Sequence, residues 1–120
     1  MAKEEAGVTE PKGLTFDILL TTTETIPGKQ YEIIGIVQGN TIQTKNIGRD
    51  ITQGFRHIAG GELKAYVDMV SKARALATER MLEEAEMMGA DAVVGLRYAS
   101  STVAAGAAEI LAFGTAVKYV

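Results

Sequence analysis

The apolar residues of this chain follow two periods: near two in several short stretches, and about 3.6 in one long one. The long stretch covers residues 62–88 and contains no Gly or Pro. Leu63, Tyr66, Val70, Ala73, Ala77, Met81, Ala85 and Met88 recur at three- and four-residue spacing, and Met69, Leu76 and Leu82 widen the stripe. The spacing predicts an amphipathic helix, closed by Gly89 as a left-handed cap. Ile47, Ile51, Phe55 and Ile58 carry a weaker helical pattern that ends at Gly60-Gly61. Residues 16–22, 31–38, 41–44, 92–98 and 107–117 read as strands, being short, apolar and rich in β-branched residues. Ile26-Pro27-Gly28-Lys29 has Pro and Gly in type II turn order, and Gly39-Asn40 between two strand-like runs is a hairpin signal.

Two features of this pattern predict self-association. A helix over residues 62–88 would be about 40 Å long, whereas a compact domain of this size has a radius of gyration of about 13–14 Å. Such a helix overhangs its own domain. In the last strand Ala108, Ile110, Ala112, Gly114 and Ala116 face one way, and Leu111, Phe113 and Val117 face the other. Both faces are apolar, so both need cover. The small-residue face suits the long helix. The Leu/Phe face is left for the short helix or another subunit.

Composition narrows the class. The 120 residues are 47% hydrophobic and 22% charged, which describes one ordinary globular domain. Residues 1–13, polar and containing Pro11 and Gly13, read as a flexible extension before a single domain over 14–120. Aromatics make up only 6%, so each apolar residue supplies little area, which again favours burial between subunits. The net charge is −3, and no Lys/Arg cluster offers a nucleic-acid footprint. Without cysteine there is no disulfide or thiolate metal site. No apolar run reaches membrane-spanning length, and the first residues lack a signal-peptide core. The expected setting is cytoplasmic, away from membranes.

Few residues announce chemistry. His57 is the single histidine, with no nucleophile or acid at a diagnostic spacing, and reads as a surface or capping residue. Glu79, Glu83, Glu84 and Glu86 crowd the end of the long helix, with Arg80 four residues before Glu84. They read as a solvated acidic face; Glu79, Glu83 and Glu86 are the candidates for a hard cation. Glu109 lies in a strand apolar on both faces and needs a partner, for which Arg97 is the natural choice. Thr21-Thr22-Thr23-Glu24-Thr25 supplies hydroxyls either for local turns or for a polar pocket. Arg49 suits an anion or a pairing with Glu24. Gly60-Gly61 exposes N–H groups at the start of the long helix. There is no P-loop, GxGxxG or GxSxG.

Several blocks occur in a recognisable order: Thr21-Thr22-Thr23-Glu24-Thr25-Ile26-Pro27-Gly28, Gly35-Ile36-Val37-Gln38-Gly39-Asn40-Thr41, Ile47-Gly48-Arg49-Asp50-Ile51, Gly60-Gly61-Glu62-Leu63-Lys64-Ala65-Tyr66, Gly89-Ala90-Asp91-Ala92-Val93-Val94-Gly95-Leu96-Arg97-Tyr98 and Gly106-Ala107-Ala108-Glu109-Ile110-Leu111-Ala112-Phe113-Gly114-Thr115-Ala116-Val117. In these the chain resembles the YbjQ-like family of small bacterial and archaeal proteins, labelled as heavy-metal-binding candidates and without a settled function. The resemblance implies an α+β subunit similar to dodecin, in two layers: an antiparallel sheet packed on one long helix plus a short helix. It also implies a homopentameric ring joined by short strands. The metal label does not transfer residue by residue, because cysteine is absent and His57 lies outside the matched blocks; a divalent cation on carboxylates is the form it could take here. The expected function is an oligomeric small-ligand-binding or assembly protein with a polar pocket between subunits, lined by Thr22, Glu24, Arg49, Glu62 and Glu109. Metal binding through carboxylates is the alternative, and an enzyme with an inter-subunit site the third reading.

Overall fold

The computed structural model describes residues 9–44, 60–104 and 107–120. The elements in chain order are β1 (Leu19–Leu20), β2 (Tyr31–Thr44), α1 (Gly60–Met87), β3 (Ala92–Ala104) and β4 (Ala107–Tyr119). The strands form one sheet in the order β1-β3-β4-β2, with α1 packed on one face, an α+β arrangement. The short helix expected over 47–58, with Arg49 and His57, lies outside the described residues. No helix among the described residues is long and apolar enough to cross a membrane.

The helix does not overhang its sheet. Its 28 residues reach about 42 Å, and the 14 residues of β2 reach about 46 Å. The domain is correspondingly elongated, 54 × 30 × 21 Å with a radius of gyration of 16.9 Å. The sequence reading set a long helix against a compact domain, whereas the strands lengthen to match it.

Most of the predicted stripe is the core. Ala73, Ala77, Met81 and Ala85 are buried against Val37, Val93, Leu96, Ile110, Ala112 and Ala116, with Val70, Leu82 and Met88 at the margin. Leu63, at the start of the stripe, stays 48% exposed. The helix closes as predicted. Gly89 has φ 78°, Ala90 N–H donates to Ala85 C=O at 3.0 Å, and Gly89 N–H donates to Glu86 C=O at 3.0 Å. This pair of bonds is a Schellman cap, which requires the left-handed backbone that glycine adopts without strain.

The hairpin expected at Gly39-Asn40 is absent; β2 runs straight through it. The glycine serves close approach instead. A Cβ on Gly39 would overlap Met81 N and Ala77 O of α1 and lie 2.8 Å from Arg80 C. A strand glycine marks either a turn or a neighbouring backbone, and here it is the second. Alongside it, Arg80 donates to Asn40 C=O at 2.8 Å, and Glu84 accepts Gln38 N–H at 2.8 Å. The helix thus holds the outer edge of β2 at its middle.

The sheet is mixed, not wholly antiparallel. β2 and β3 each pair antiparallel with β4, but β1 pairs parallel with β3 through Leu19↔Ala92 and Leu20↔Val93. β1 and β2 lie at opposite edges and point the same way, so residues 21–30 return across the face away from α1. There Ile26 packs on Ala92, Val94 and Val117 beside Tyr31 and Tyr119. The predicted turn within this segment is present, with Lys29 N–H donating to Ile26 C=O at 3.3 Å. A bulge between Val94 and Arg97, with Gly95 at φ 67°, turns Leu96 and Tyr98 toward the helix.

Gly39→Ala should lower the unfolding free energy by about 1–3 kcal/mol, the range for overpacking, because the obstructing atoms are helix backbone. Urea unfolding measures it. An unchanged midpoint would show that α1 can lift from β2 at no cost.

Candidate functional site

Among the described residues the sheet face away from α1 is only partly covered. Cross-strand partners on one face of a sheet stand together. The pairings Ile42↔Glu109, Asn40↔Leu111, Gln38↔Phe113 and Ile36↔Thr115 from β2 to β4, with Arg97↔Phe113, Ala99↔Leu111 and Ser101↔Glu109 from β3, define this face. The 21–30 segment covers one end. Beyond it Ile36 is 75% and Ile42 55% exposed, while Leu111 and Phe113 are half-buried.

Where the covered and open parts meet is a shallow cavity of about 350 Å³ lined by Glu24, Tyr31, Ile33, Val94, Gly95, Thr115 and Val117. Ile33, Val94 and Val117 give its walls an aliphatic part, and polar surface makes up nearly as much of the lining. Its polar groups are one carboxylate, one phenol and one hydroxyl, and Tyr31 Oη donates to Glu24 C=O at 3.4 Å. Among the residues predicted from sequence, Glu24 lines this cavity and Thr22 lies two residues before it, its carbonyl accepting an Arg97 N–H at 3.0 Å. Sequence reasoning did not place Tyr31 and Thr115 here. Both occupied positions in routine strands: Tyr31 comes to Glu24 through the fold of the 21–30 segment, and Thr115 through the pairing of β4 with its neighbours.

Glu109 is elsewhere. It is six residues from Thr115 along β4, about 20 Å away, half-buried, with Ser101 Oγ donating to it at 3.4 Å. The expected Arg97–Glu109 pair does not form. The β3–β4 pairing sets Arg97 opposite Phe113, four residues from Glu109, and its guanidinium donates to Thr22 C=O and Leu96 C=O. The side chain of Glu62 and all of Arg49 lie outside the described residues. The Thr21 and Thr23 hydroxyls serve the local turn: Thr23 N–H donates to Thr21 Oγ1 at 3.1 Å, and Thr23 Oγ1 donates to Thr25 C=O at 2.9 Å.

The acidic end of α1 is not one solvated face. Glu79 is 7% exposed although it projects about 200° round the helix from Ala77, away from the sheet. It is covered by residues 12–14, and its two oxygens accept Lys12 N–H at 2.9 Å and Leu14 N–H at 3.0 Å. Burial by itself pushes this carboxyl's pKa up. The N–H groups of Lys12, Leu14 and Gly13 and the Lys12 charge outweigh that effect and hold it below the ordinary carboxylate value. Glu84 caps Gln38, while Glu83 is half-buried and Glu86 exposed. Among the described residues no three His, Cys, Asp or Glu side chains gather as metal donors. Glu79 already spends its oxygens on peptide N–H groups, so the donors present do not fit a soft heavy metal.

A family model described as "Putative heavy-metal-binding" matches residues 18–120. The chain is 56% identical over 102 residues to a UPF0145 protein of Thermotoga maritima, covering 84% of this chain and 96% of that one. It is 51% identical over 104 residues to a UPF0145 protein of Vibrio parahaemolyticus, covering 86% and 99%. Its fold is similar to that of a crystallised Pediococcus pentosaceus protein of unknown function, with a TM-score of 0.61 at 16% identity, covering 86% and 98%.

The lowered pKa of Glu79 fixes the sign of a pH effect. Its contribution to stability is complete above the unfolded-state value of about 4.3 and is lost as pH falls through the folded-state value. In urea, the stability gap between wild type and Glu79→Gln should be widest near neutral pH and narrow as pH falls below the unfolded-state value. A gap that does not change with pH would contradict the assignment.

Proposed function

This chain belongs to the YbjQ family of uncharacterised UPF0145 proteins, and on that premise we propose that it is a homo-oligomeric small-ligand-binding protein, with a second copy seated on the open sheet face. The observation that carries this reading is the row of large aliphatic side chains left in solvent: Ile33 at 73%, Ile36 at 75% and Ile42 at 55% exposure, beside Leu111 and Phe113. Fully burying one such side chain is worth about 1.5–3 kcal/mol, and contiguous apolar patches mark association sites. A pentameric, dodecin-like ring joined by strands, as the resemblance implies, would use this face and the outer edge of β2. A cytoplasmic setting is part of the same proposal.

The ligand would enter the cavity beside Glu24, Tyr31 and Thr115. At about 350 Å³ it lies in the range of small-molecule sites, about 300–1,000 Å³. Its chemistry suits a small molecule with an aliphatic body and a cationic or hydrogen-bonding group. Thr22 flanks the cavity, and Arg49, Glu62 and Glu109 could join it only from a neighbouring copy. The second reading is a divalent cation on carboxylates, favoured by the family description and by Glu24 as the acidic group of the cavity. Catalysis has the least support, because Glu24 lines the cavity beside Thr115, which lies about 20 Å along β4 from Glu109 within one chain.

Light scattering after size-exclusion chromatography should find an oligomer at micromolar concentration, and Ile36→Asp should shift it toward the monomer. A monomeric wild type ends the assembly reading. Titration calorimetry with zinc, copper, nickel, calcium and magnesium should give saturable heat with a hard cation under the second reading. No saturable heat with any of the five removes it.

A further inference from the structure

The N-terminal segment occupies a site that the reading above does not use. Residues 9–14 lie along α1 and the end of β2, ahead of residue 18, where the family match begins. The Thermotoga maritima relative is matched over 96% of its length, so little of it is left for a comparable segment.

What holds these residues is main-chain recognition. Gln43 is fully buried and meets Thr9 with both ends of its amide: Oε1 accepts Thr9 N–H at 2.6 Å, and Nε2 donates to Thr9 C=O at 3.1 Å. Nε2 also donates to Thr41 Oγ1 at 3.1 Å, which fixes the amide from behind. Glu79 accepts the N–H groups of Lys12 and Leu14, on either side of Gly13. N–H groups this close in sequence converge on one anion where the backbone turns through a left-handed residue, the geometry of an anion nest. Gly13 supplies it, with φ +72° and no heavy atom within 4 Å of where a Cβ would stand. The requirement for glycine is therefore one of backbone and not of space. The Lys72–Glu10 ion pair at 2.7 Å is exposed at both ends and adds little. The site thus reads two peptide units and a nest, and the identity of the other side chains matters little to it.

We propose that Gln43 and Glu79 form a receptor for an extended peptide with glycine at its nest position, filled in cis by residues 9–14, which makes that segment a detachable latch across α1 and β2. The carboxylate supplies the anion and the segment supplies the nest, so each half can be disabled without touching the other. Glu79→Gln removes the anion and keeps the shape. Gly13→Ala spoils the nest and leaves the receptor intact.

Hydrogen exchange on the full chain tests the latch. The amides of Lys12, Gly13 and Leu14 should be protected in the wild type and exchange at least about tenfold faster in both variants, with the helix signal in circular dichroism unchanged. A synthetic peptide of residues 9–14 should then bind the Gly13→Ala chain saturably, and neither the wild type nor Glu79→Gln. Exchange of these amides at unstructured-peptide rates in the wild type would overturn the proposal. So would protection that survives both substitutions, or no peptide binding to Gly13→Ala up to about 1 mM.

Discussion

The architecture turns on one close contact, the passage of α1 over Gly39. Helix and strand backbones come near enough there that no side chain fits between them. The neighbouring helix positions are Ala73, Ala77 and Ala85, and the β4 residues facing them include Ala112 and Ala116. Small residues bury little area each, so this layer gains its cohesion from proximity and length, with dispersion contacts summed along the whole stripe. Met81 is the large side chain at the crossing, flexible enough to fill what the alanines leave. Because α1 sits over β2 and β4, most of its apolar stripe is spent on one face of the sheet. The other face keeps its isoleucines in solvent.

Much of this was legible along the chain. The helix, its cap at Gly89, the Pro27-Gly28 turn and the two-faced apolar pattern of β4 follow from periods and backbone preferences that act within a few residues. Gly39-Asn40 misled because glycine has two uses in strands, and only the distance to α1 separates them. Glu109 misled because β3 folds back onto β4 from the Ala104↔Ala107 pair, which sets Ser101 opposite Glu109 and leaves Arg97 four residues away, opposite Phe113. The parallel pairing of β1 could not be read from a two-residue strand whose partner lies more than 70 residues on. At the candidate site, Glu24 was legible as a polar residue among apolar blocks. Tyr31 was not, since its approach depends on how the 21–30 segment folds, and Thr115 was not, since its approach depends on pairing between distant strands.

The carboxylates on α1 show how little formal charge says about solvation. Negative charge near a helix C-terminus opposes the dipole, and four glutamates there looked like a solvated surface. Glu79 and Glu84 instead each take main-chain N–H groups from other parts of the chain, residues 12–14 and Gln38. Peptide N–H groups are obligatory donors that must find an acceptor when covered. A carboxylate placed on a helix flank meets that need for irregular or edge backbone, which has no ladder of its own.

The Arg80 and Glu84 contacts to the edge of β2 have a consequence for how copies of this chain can meet. An edge strand 14 residues long is an open template for any extended chain. Here its rim is interrupted at Gln38 and Asn40, where the outward N–H and C=O are already claimed. A foreign strand can lie alongside only one half of the rim before meeting helix side chains. Growth of this edge into an unlimited stack is therefore obstructed, and a strand that does add has its length and stagger measured off by two residues of the helix.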